Sequence, residues 1–200
     1  MSSIIWPERV ILSLDMILSQ TSVTIFRHPF SEDAKHSHDL LLSAAALYSG
    51  HSRSELGELE FNPWGKPYFP SFPNLHFSIT HSGDWWLCGF SGAELGLDLQ
   101  QHRSHVPPET LASRFFHPHE NEFLAQKDYR NFYDLWTAKE SWVKYTGHGF
   151  FDDPSTFSVV SAEHQFPVID GAEFRPLPFS SGYSLCLCMK SIQDVHLLSL

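Results

Sequence analysis

The spacing of hydrophobic residues along the chain predicts a protein of mixed helices and strands. Residues 32–49 carry apolar side chains at three- and four-residue intervals, which is typical of an amphipathic helix. Ser31 is the predicted N-cap because Glu32 and Asp33 follow it, and Gly50 is the predicted end. The pattern therefore predicts a first long helix over residues 32–49.

A change to strand-like spacing follows this helix. Three short strands are predicted, separated by turn-prone segments, at residues 75–79, 85–91 and 95–100. Their order indicates an antiparallel meander. In the third strand Leu residues alternate with other residues, so a period of two places Asp98 and Gln100 on the same face.

The second half of the chain begins with helical spacing and returns to strands. Helices are predicted over residues 108–116, from Pro118 onward, and from about residue 130 to Gly147; strands are predicted at residues 157–160 and 183–189. This order indicates an α/β or α+β fold. Periodicity alone leaves open a single mixed sheet or two packed subdomains.

Composition limits the class of protein. With 200 residues, of which 42% are hydrophobic, the chain can bury a sizeable core. The formal net charge of −10 argues against nucleic acid as a partner, because no Lys/Arg-dense stripe is present to neutralise phosphates. Three cysteines do not suggest a disulfide framework. The sequence has no predicted signal segment or membrane span, so we expect a cytoplasmic protein.

Asp98 is the first residue with candidate chemistry. A carboxylate between Leu97 and Leu99 in an apolar strand is unfavourable unless it is solvated, paired or bound to a metal. Glu140 and Lys144 are one helical turn apart, which suits a phosphoryl-transfer site but also describes an ordinary surface ion pair.

Zinc and cysteine chemistry are weaker alternatives. The paired histidines at 36/38 and 117/119 are two residues apart and have no HExxH or CxxC partner motif. Cys88 lies in an apolar strand without a recognisable base, so we expect a core residue.

Four segments, in order and in spacing, resemble the surfactin-type 4′-phosphopantetheinyl transferases. They are Gly-Lys-Pro at 65–67, Phe-Ser-Ile-Thr-His-Ser-Gly at 77–83, Gly-Leu-Asp-Leu-Gln at 96–100 and Phe-Tyr-Asp-Leu-Trp-Thr-Ala-Lys-Glu at 132–140. The resemblance extends from about residue 31 to residue 149.

The resemblance implies both a reaction and an architecture. Members of that family move the phosphopantetheine arm of coenzyme A onto a serine of an acyl, peptidyl or polyketide carrier protein, and they require Mg²⁺. They are usually monomers of two similar α/β subdomains related by a pseudo-twofold, with the site in the cleft between them. For this chain the implied subdomains are residues 1–100 and 101–200.

The resemblance also implies roles for individual residues. Asp98 and Glu140 correspond to metal ligands, Glu140 to a proton acceptor as well, and Lys144 to a phosphate contact. The implied coenzyme A contacts are Gly65, Lys66, Pro67, Thr80, His81, His36, Ser37, Lys139 and Lys144.

Two positions depart from the family pattern. Gln100 stands where the family usually has a third acidic ligand, which predicts weaker metal binding. His36 and Ser37 stand where many relatives have arginine and threonine, which predicts weaker or more pH-dependent coenzyme A binding.

Carrier docking is expected on a local apolar patch, because carrier proteins and this chain are both acidic. Arg114, Lys127 and Arg130 are candidate cations at its edge. A non-catalytic binding module for coenzyme A or a carrier protein, and an unrelated metal-dependent phosphohydrolase, are the competing hypotheses.

Overall fold

The computed structural model describes residues 19–30, 34–104, 107–149, 153–161 and 165–200. Its strands are β1 (Val23–Pro29), β2 (Glu60–Phe61), β3 (Pro67–Tyr68), β4 (His76–Ser82), β5 (Trp85–Ser91), β6 (Leu95–Gln101), β7 (Glu173–Leu177), β8 (Tyr183–Met189) and β9 (Val195–Ser199). Its α-helices are α1 (Ala34–Ser49), α2 (Arg53–Leu56), α3 (Pro108–Phe115), α4 (Pro118–Ala125) and α5 (Phe132–Thr146), and a short 3₁₀ helix spans Pro154–Thr156.

The strands form two main sheets. The first has the order β4-β5-β1-β9, with β9 parallel to β1 and the other neighbours antiparallel. The second has the order β6-β8-β7 and is antiparallel throughout. The mixed α/β class predicted from the sequence is therefore confirmed, and the described residues form two main sheets and the small β2–β3 sheet rather than a single mixed sheet.

A ladder of hydroxyl groups joins the two sheets where β4 lies beside β6. The backbone N–H groups of Leu97 and Leu99 donate to the side-chain oxygens of Ser78 and Thr80, at 3.0 and 3.1 Å. The Gln101 N–H donates to Ser82 in the same way, at 2.9 Å. Side chains of β4 thus satisfy backbone donors of β6 that would otherwise be buried and unpaired.

The predicted three-strand meander is wrong at its third strand. The first two predicted strands do pair as β4 and β5, but β6 pairs with β8 in the second sheet. Most positions of β6 are apolar, so its own sequence does not specify whether it pairs with β5 or with β8.

Most of the predicted helices match the structure closely. Helix α1 is described from Ala34 to Ser49, and the predicted cap at residues 31–33 lies outside the described residues. Helices α3, α4 and α5 lie where proline at the start and Gly147 at the end predicted them. The strand predicted at 157–160 is wrong, because that segment follows the 3₁₀ helix and forms only an isolated bridge from Val160.

Three clusters of buried side chains hold these layers together. One packs α1 on the first sheet, one packs α3, α4 and α5 on the second sheet, and the third lies between the sheets. Cys88 is fully buried in the first cluster and burial raises the pKa of its thiol, which confirms the prediction of a core residue. No helix of the described part of the chain is long and apolar enough to cross a bilayer.

Candidate active site

Gly96 allows helix α5 to pack directly on strand β6. A Cβ atom at this position would overlap the backbone carbonyl of Ser141 and crowd the amide of Tyr145, both on α5. Because glycine has no side chain, the helix backbone approaches the strand closely. This approach brings the polar residues of α5 against the polar face of β6.

Asp98 lies at the centre of this strand–helix contact and is almost fully buried. Its Oδ1 atom accepts from the hydroxyl of Thr80 at 3.2 Å and from the ammonium of Lys144 at 2.7 Å. Its Oδ2 atom accepts from the amide of Gln100 at 3.2 Å, which confirms that Asp98 and Gln100 share a face. The buried carboxylate is thus compensated by three protein donors.

Glu140 lies one helical turn before Lys144 and faces the same region. Burial and the negative charge of Asp98 raise the pKa of the Glu140 carboxyl, and the positive charge of Lys144 partly opposes this. Glu140 also borders an apolar cavity of about 340 Å³ whose walls include Phe115 and Trp136. The carboxylates of Asp98 on β6 and Glu140 on α5 therefore interact electrostatically, and Glu140 borders the cavity.

These groups fit a hard divalent cation. Carboxylate oxygens are the ligands that Mg²⁺ prefers, and it commonly keeps several waters and takes few ligands from the protein. The negative charge of Asp98 raises the pKa of Glu140, because the two carboxylates repel each other. A cation bound between the two carboxylates would relieve this repulsion. Within the described ranges no group of three or more His, Cys, Asp or Glu side chains could hold a metal ion, so the fit involves only two carboxylates.

Gln100 is placed beside these carboxylates but acts as a donor. Its side-chain nitrogen is the atom that contacts Asp98, so in this conformation the amide orients the carboxylate. A role for Gln100 as metal ligand requires the amide to rotate and present its oxygen.

A second cavity, of about 240 Å³, lies between α5 and the β2–β3 hairpin. Gly65, Lys66 and Pro67 line one side of it, and Lys144 lines the other. The hairpin residues that the sequence singled out are therefore brought to the same cavity as Lys144. The Lys66 ammonium itself points away toward Glu94, at 2.6 Å, so its aliphatic stem is the part that can face the cavity.

His36, Ser37 and His81 form a separate group around Trp86 on the first sheet. The Trp86 indole N–H donates to the Ser37 hydroxyl at 2.9 Å, and His81 is the cross-strand partner of Trp86. The His36 ring lies 5.5 Å from that of His28, which is the partner of Trp86 on the other side. Three of the predicted coenzyme A contacts thus lie together.

Lys139 lies in a buried ion pair of the second core. This residue is 2% exposed, and its ammonium contacts both oxygens of Glu120, at 2.9 and 2.7 Å, and the carbonyl of Phe157 at 2.7 Å. All three donors are used inside the second core, so no donor remains for a phosphate. Lys139 lines the 340 Å³ cavity together with Glu140, but its ammonium is directed to Glu120.

Thr80 belongs to the hydroxyl ladder between β4 and β6. Its side chain is buried, and its hydroxyl donates to Asp98 and accepts from the Leu99 N–H. The Thr80 hydroxyl therefore contacts the carboxylate of Asp98 in this structure. The alternation of Ser78, Thr80 and Ser82 along β4 was the signal in the sequence that could have predicted this ladder.

Glu120 is a buried residue that the sequence reasoning missed. It caps α4 through the backbone of His117, accepts from the Val159 N–H at 2.7 Å, and pairs with Lys139. Glu120 is the third residue of α4, after Pro118, and in the sequence it has the pattern of an ordinary capping residue. Its burial depends on the ion pair with Lys139 of α5, which has no local signal in the sequence.

Comparisons with known proteins show the family of this chain. The profile of the 4′-phosphopantetheinyl transferase superfamily matches residues 94–189. A 4′-phosphopantetheinyl transferase of Bacillus subtilis is 39% identical over 104 residues, which are 48% of this chain and 44% of that protein. The transferase ffp of Bacillus subtilis is 39% identical over 141 residues, covering 62% and 59% of the two chains.

The chain therefore spans about half of the length of these Bacillus relatives. The 4′-phosphopantetheinyl transferase AcpT of Escherichia coli O157:H7 is 30% identical over 149 residues, which are 70% of this chain and 76% of that protein. The residues matched by the profile include Asp98, Glu140 and Lys144. The chain belongs to the 4′-phosphopantetheinyl transferase superfamily.

Proposed function

We propose that the protein transfers the phosphopantetheine arm of coenzyme A to a serine hydroxyl of an apo carrier protein, with Mg²⁺, and releases adenosine 3′,5′-bisphosphate. The observation that carries this proposal is the contact of Lys144 with Asp98, beside Glu140 and between two cavities. Membership of the superfamily supports the same reaction.

The proposed roles follow from the charges of the reaction. The serine oxygen attacks the phosphorus that carries the pantetheine arm, and the phosphoanhydride bond to the nucleotide breaks. Asp98 and Glu140 would hold Mg²⁺, which supplies positive charge at the phosphates when bound. Glu140, whose pKa is raised by burial and by Asp98, accepts the serine proton, and Lys144 donates to phosphate oxygens. Gln100 orients Asp98, or joins the metal ligands after rotation of its amide.

The proposed coenzyme A contacts are divided between two places. The hairpin residues Gly65, Lys66 and Pro67 face the base of the nucleotide in the 240 Å³ cavity. His36, Ser37 and His81 bind the phosphate of its ribose. The position of Lys144 on the wall of that cavity supports the assignment, because the same side chain then reaches the phosphates.

The proposed carrier surface is the wall of the 340 Å³ cavity. The attacking serine must reach Glu140, and Glu140 borders this cavity. Arg114 is exposed next to Phe115, and Lys127 and Arg130 are also exposed, which supports an apolar patch edged by cations.

We also propose that the protein is a cytoplasmic monomer without nucleic-acid or membrane partners. The net charge of −10 supports the exclusion of nucleic acid. The proposed cleft lies between halves 1–100 and 101–200, related by a pseudo-twofold. The presence of two main sheets supports two subdomains, although β6 of the first half pairs in the second sheet and β9 of the second half pairs in the first.

Incubation of the protein with coenzyme A, Mg²⁺ and several apo carrier proteins tests the proposal. Intact-mass spectrometry of each carrier should show a gain of one phosphopantetheine group. Tight coenzyme A binding without any mass gain would favour the binding module. Phosphate release in the absence of a carrier would favour the phosphohydrolase.

A further inference from the structure

The β2–β3 hairpin is too short to be stable without contacts to the rest of the fold. Its strands are only Glu60–Phe61 and Pro67–Tyr68, and a two-stranded hairpin of this size is marginal in water without external contacts. Yet its loop forms one wall of the 240 Å³ cavity. Contacts outside the hairpin must therefore set the shape of that cavity.

One external contact is made by Asn62. Its side-chain oxygen accepts from the N–H groups of Trp64 and Lys66, at 3.0 and 2.8 Å, which fixes the turn. Its side-chain nitrogen donates to the carbonyl of Gly147 at 3.1 Å, just beyond α5. This contact joins the turn to the end of the helix that carries Lys144.

The second contact is an ion pair from the hairpin to Glu94, the residue before β6. The Lys66 ammonium binds Glu94 at 2.6 Å and lies 3.4 Å from the carbonyls of Leu95 and Tyr145. The hairpin is thereby joined to the start of β6 and to α5. The other oxygen of Glu94 lies 3.1 Å from Nδ1 of His76, at the start of β4.

Glu94 is therefore the common partner of Lys66 on the hairpin and His76 on β4. Burial alone would raise the pKa of its carboxyl, but the hydrogen bond from His76 and the charge of Lys66 lower that pKa to about 2. The carboxylate is thus charged over the whole range in which enzymes are assayed. The side chain of Lys66 is 18% exposed and that of Glu94 is 52% exposed, so solvent screens this ion pair in part.

The proposed function, on which this inference rests, assigns the nucleotide end of coenzyme A to this cavity. We propose that Glu94 is a positioning residue for this nucleotide: through Lys66 it holds the β2–β3 hairpin against β6 and α5, and it thereby sets the cavity that receives the base. Glu94 touches no substrate. It acts through Lys66, and His76 supports its orientation.

The test is the Glu94→Gln variant, which keeps the shape of the side chain and removes the charge. The Kd of adenosine 3′,5′-bisphosphate, measured by calorimetry, should rise about three- to fivefold, the range that a partly exposed ion pair supplies. KM for coenzyme A should rise similarly, with kcat within about twofold, because the chemistry at Asp98 and Glu140 is untouched. Amide hydrogen exchange of residues 60–68 should become faster.

Glu60→Gln is the matched control, since Glu60 lies on the same hairpin and its carboxylate contacts only Tyr68 among the hydrogen bonds of the described residues. It should leave Kd and exchange unchanged. In the double variant Lys66→Met/Glu94→Gln the effects should not add, because both changes break one contact.

An unchanged Kd in Glu94→Gln, or additive effects in the double variant, would overturn the inference. Failure of the unmutated protein to bind the nucleotide would overturn this inference together with the proposed function. Nucleotide binding without transfer to any carrier would overturn the proposed function alone.

Discussion

The ammonium of Lys144 lies 2.7 Å from Oδ1 of Asp98 and so joins helix α5 to strand β6 at the candidate active site. The side chain of Asp98 is 3% exposed and that of Lys144 is 29% exposed, so one end of the pair reaches solvent. A lysine in this position balances a buried carboxylate and can still turn toward a phosphate in the neighbouring cavity.

Replacement of Lys144 by methionine should lower the rate of transfer strongly. The change keeps the length of the side chain but removes the donor to the phosphates, and loss of one such electrostatic contact lowers kcat by roughly 100-fold or more. The measurement is the initial rate of carrier modification at saturating coenzyme A. A variant with unaltered kcat would show that Lys144 only balances Asp98.

The Glu140→Gln variant should lose transfer but gain stability. Because burial and the charge of Asp98 raise the pKa of Glu140, its ionised form is unfavourable in the fold, and a neutral amide removes this unfavourable charge. Urea unfolding at neutral pH without metal measures the gain.

Because the pKa of Glu140 is raised, the stability gained in the Glu140→Gln variant should depend on pH. As the pH falls through the raised pKa, the unmutated Glu140 takes up a proton and loses its unfavourable charge. The difference between the two proteins should therefore be present at neutral pH and shrink on acidification. A variant that is less stable than the unmutated protein at neutral pH would contradict the account.

Gln100→Glu should tighten binding of a divalent cation. A carboxylate supplies the charge that the amide lacks, and it also adds repulsion with Asp98 that the cation relieves. Titration of Mn²⁺ followed by electron paramagnetic resonance measures this directly, without any transfer reaction. Gln101→Glu, at the next position on the opposite face of β6, is the matched control. Equal tightening in both variants would indicate a general effect of net charge.

The Glu120–Lys139 pair should control stability and not phosphate binding. Lys139→Met leaves the Glu120 carboxylate buried without its partner, and such a loss destabilises by about 3–5 kcal/mol. The double change Glu120→Leu/Lys139→Met removes both charges and should recover much of that loss. Chemical denaturation measures both effects. A stable Lys139→Met variant with weakened coenzyme A binding would restore the phosphate role predicted from the family.

Gly96→Ala tests the close packing beneath the site. The added methyl group meets the backbone of Ser141 and Tyr145, neither of which can turn aside as a flexible side chain could. We expect a loss of about 1–3 kcal/mol in the free energy of unfolding together with a fall in activity. Gly89→Ala, which would meet only leucine and valine side chains, is the milder comparison. Equal losses at both positions would contradict the proposed role of the backbone contact.

The sequence predicted local structure better than partners across the fold. Helices α3, α4 and α5 were found because proline, glycine and apolar spacing are local signals. Strands β1, β7 and β9 were missed, and β9 completes the first sheet from the opposite end of the chain. Pairing between residues so far apart has no local signature.

The candidate site shows the same division. The period of two along β6 correctly placed Gln100 beside Asp98, because alternation is a property of one strand. The direction of Lys139 could not be read from its neighbour Glu140, since adjacent residues of a helix point about 100° apart. Its burial became visible only with Glu120 of α4 in place.

The central claim is that Asp98 and Glu140 act as one site for phosphopantetheine transfer. The most direct test is the initial rate of mass gain on an apo carrier with the unmutated protein, Asp98→Asn, Glu140→Gln and their combination, with Glu109→Gln on the exposed start of α3 as control. The account predicts transfer by the unmutated protein and the control, a loss of about 100-fold or more in each single variant, and no further loss in the combination, because the residues act as a unit. Full transfer by either single variant would contradict it.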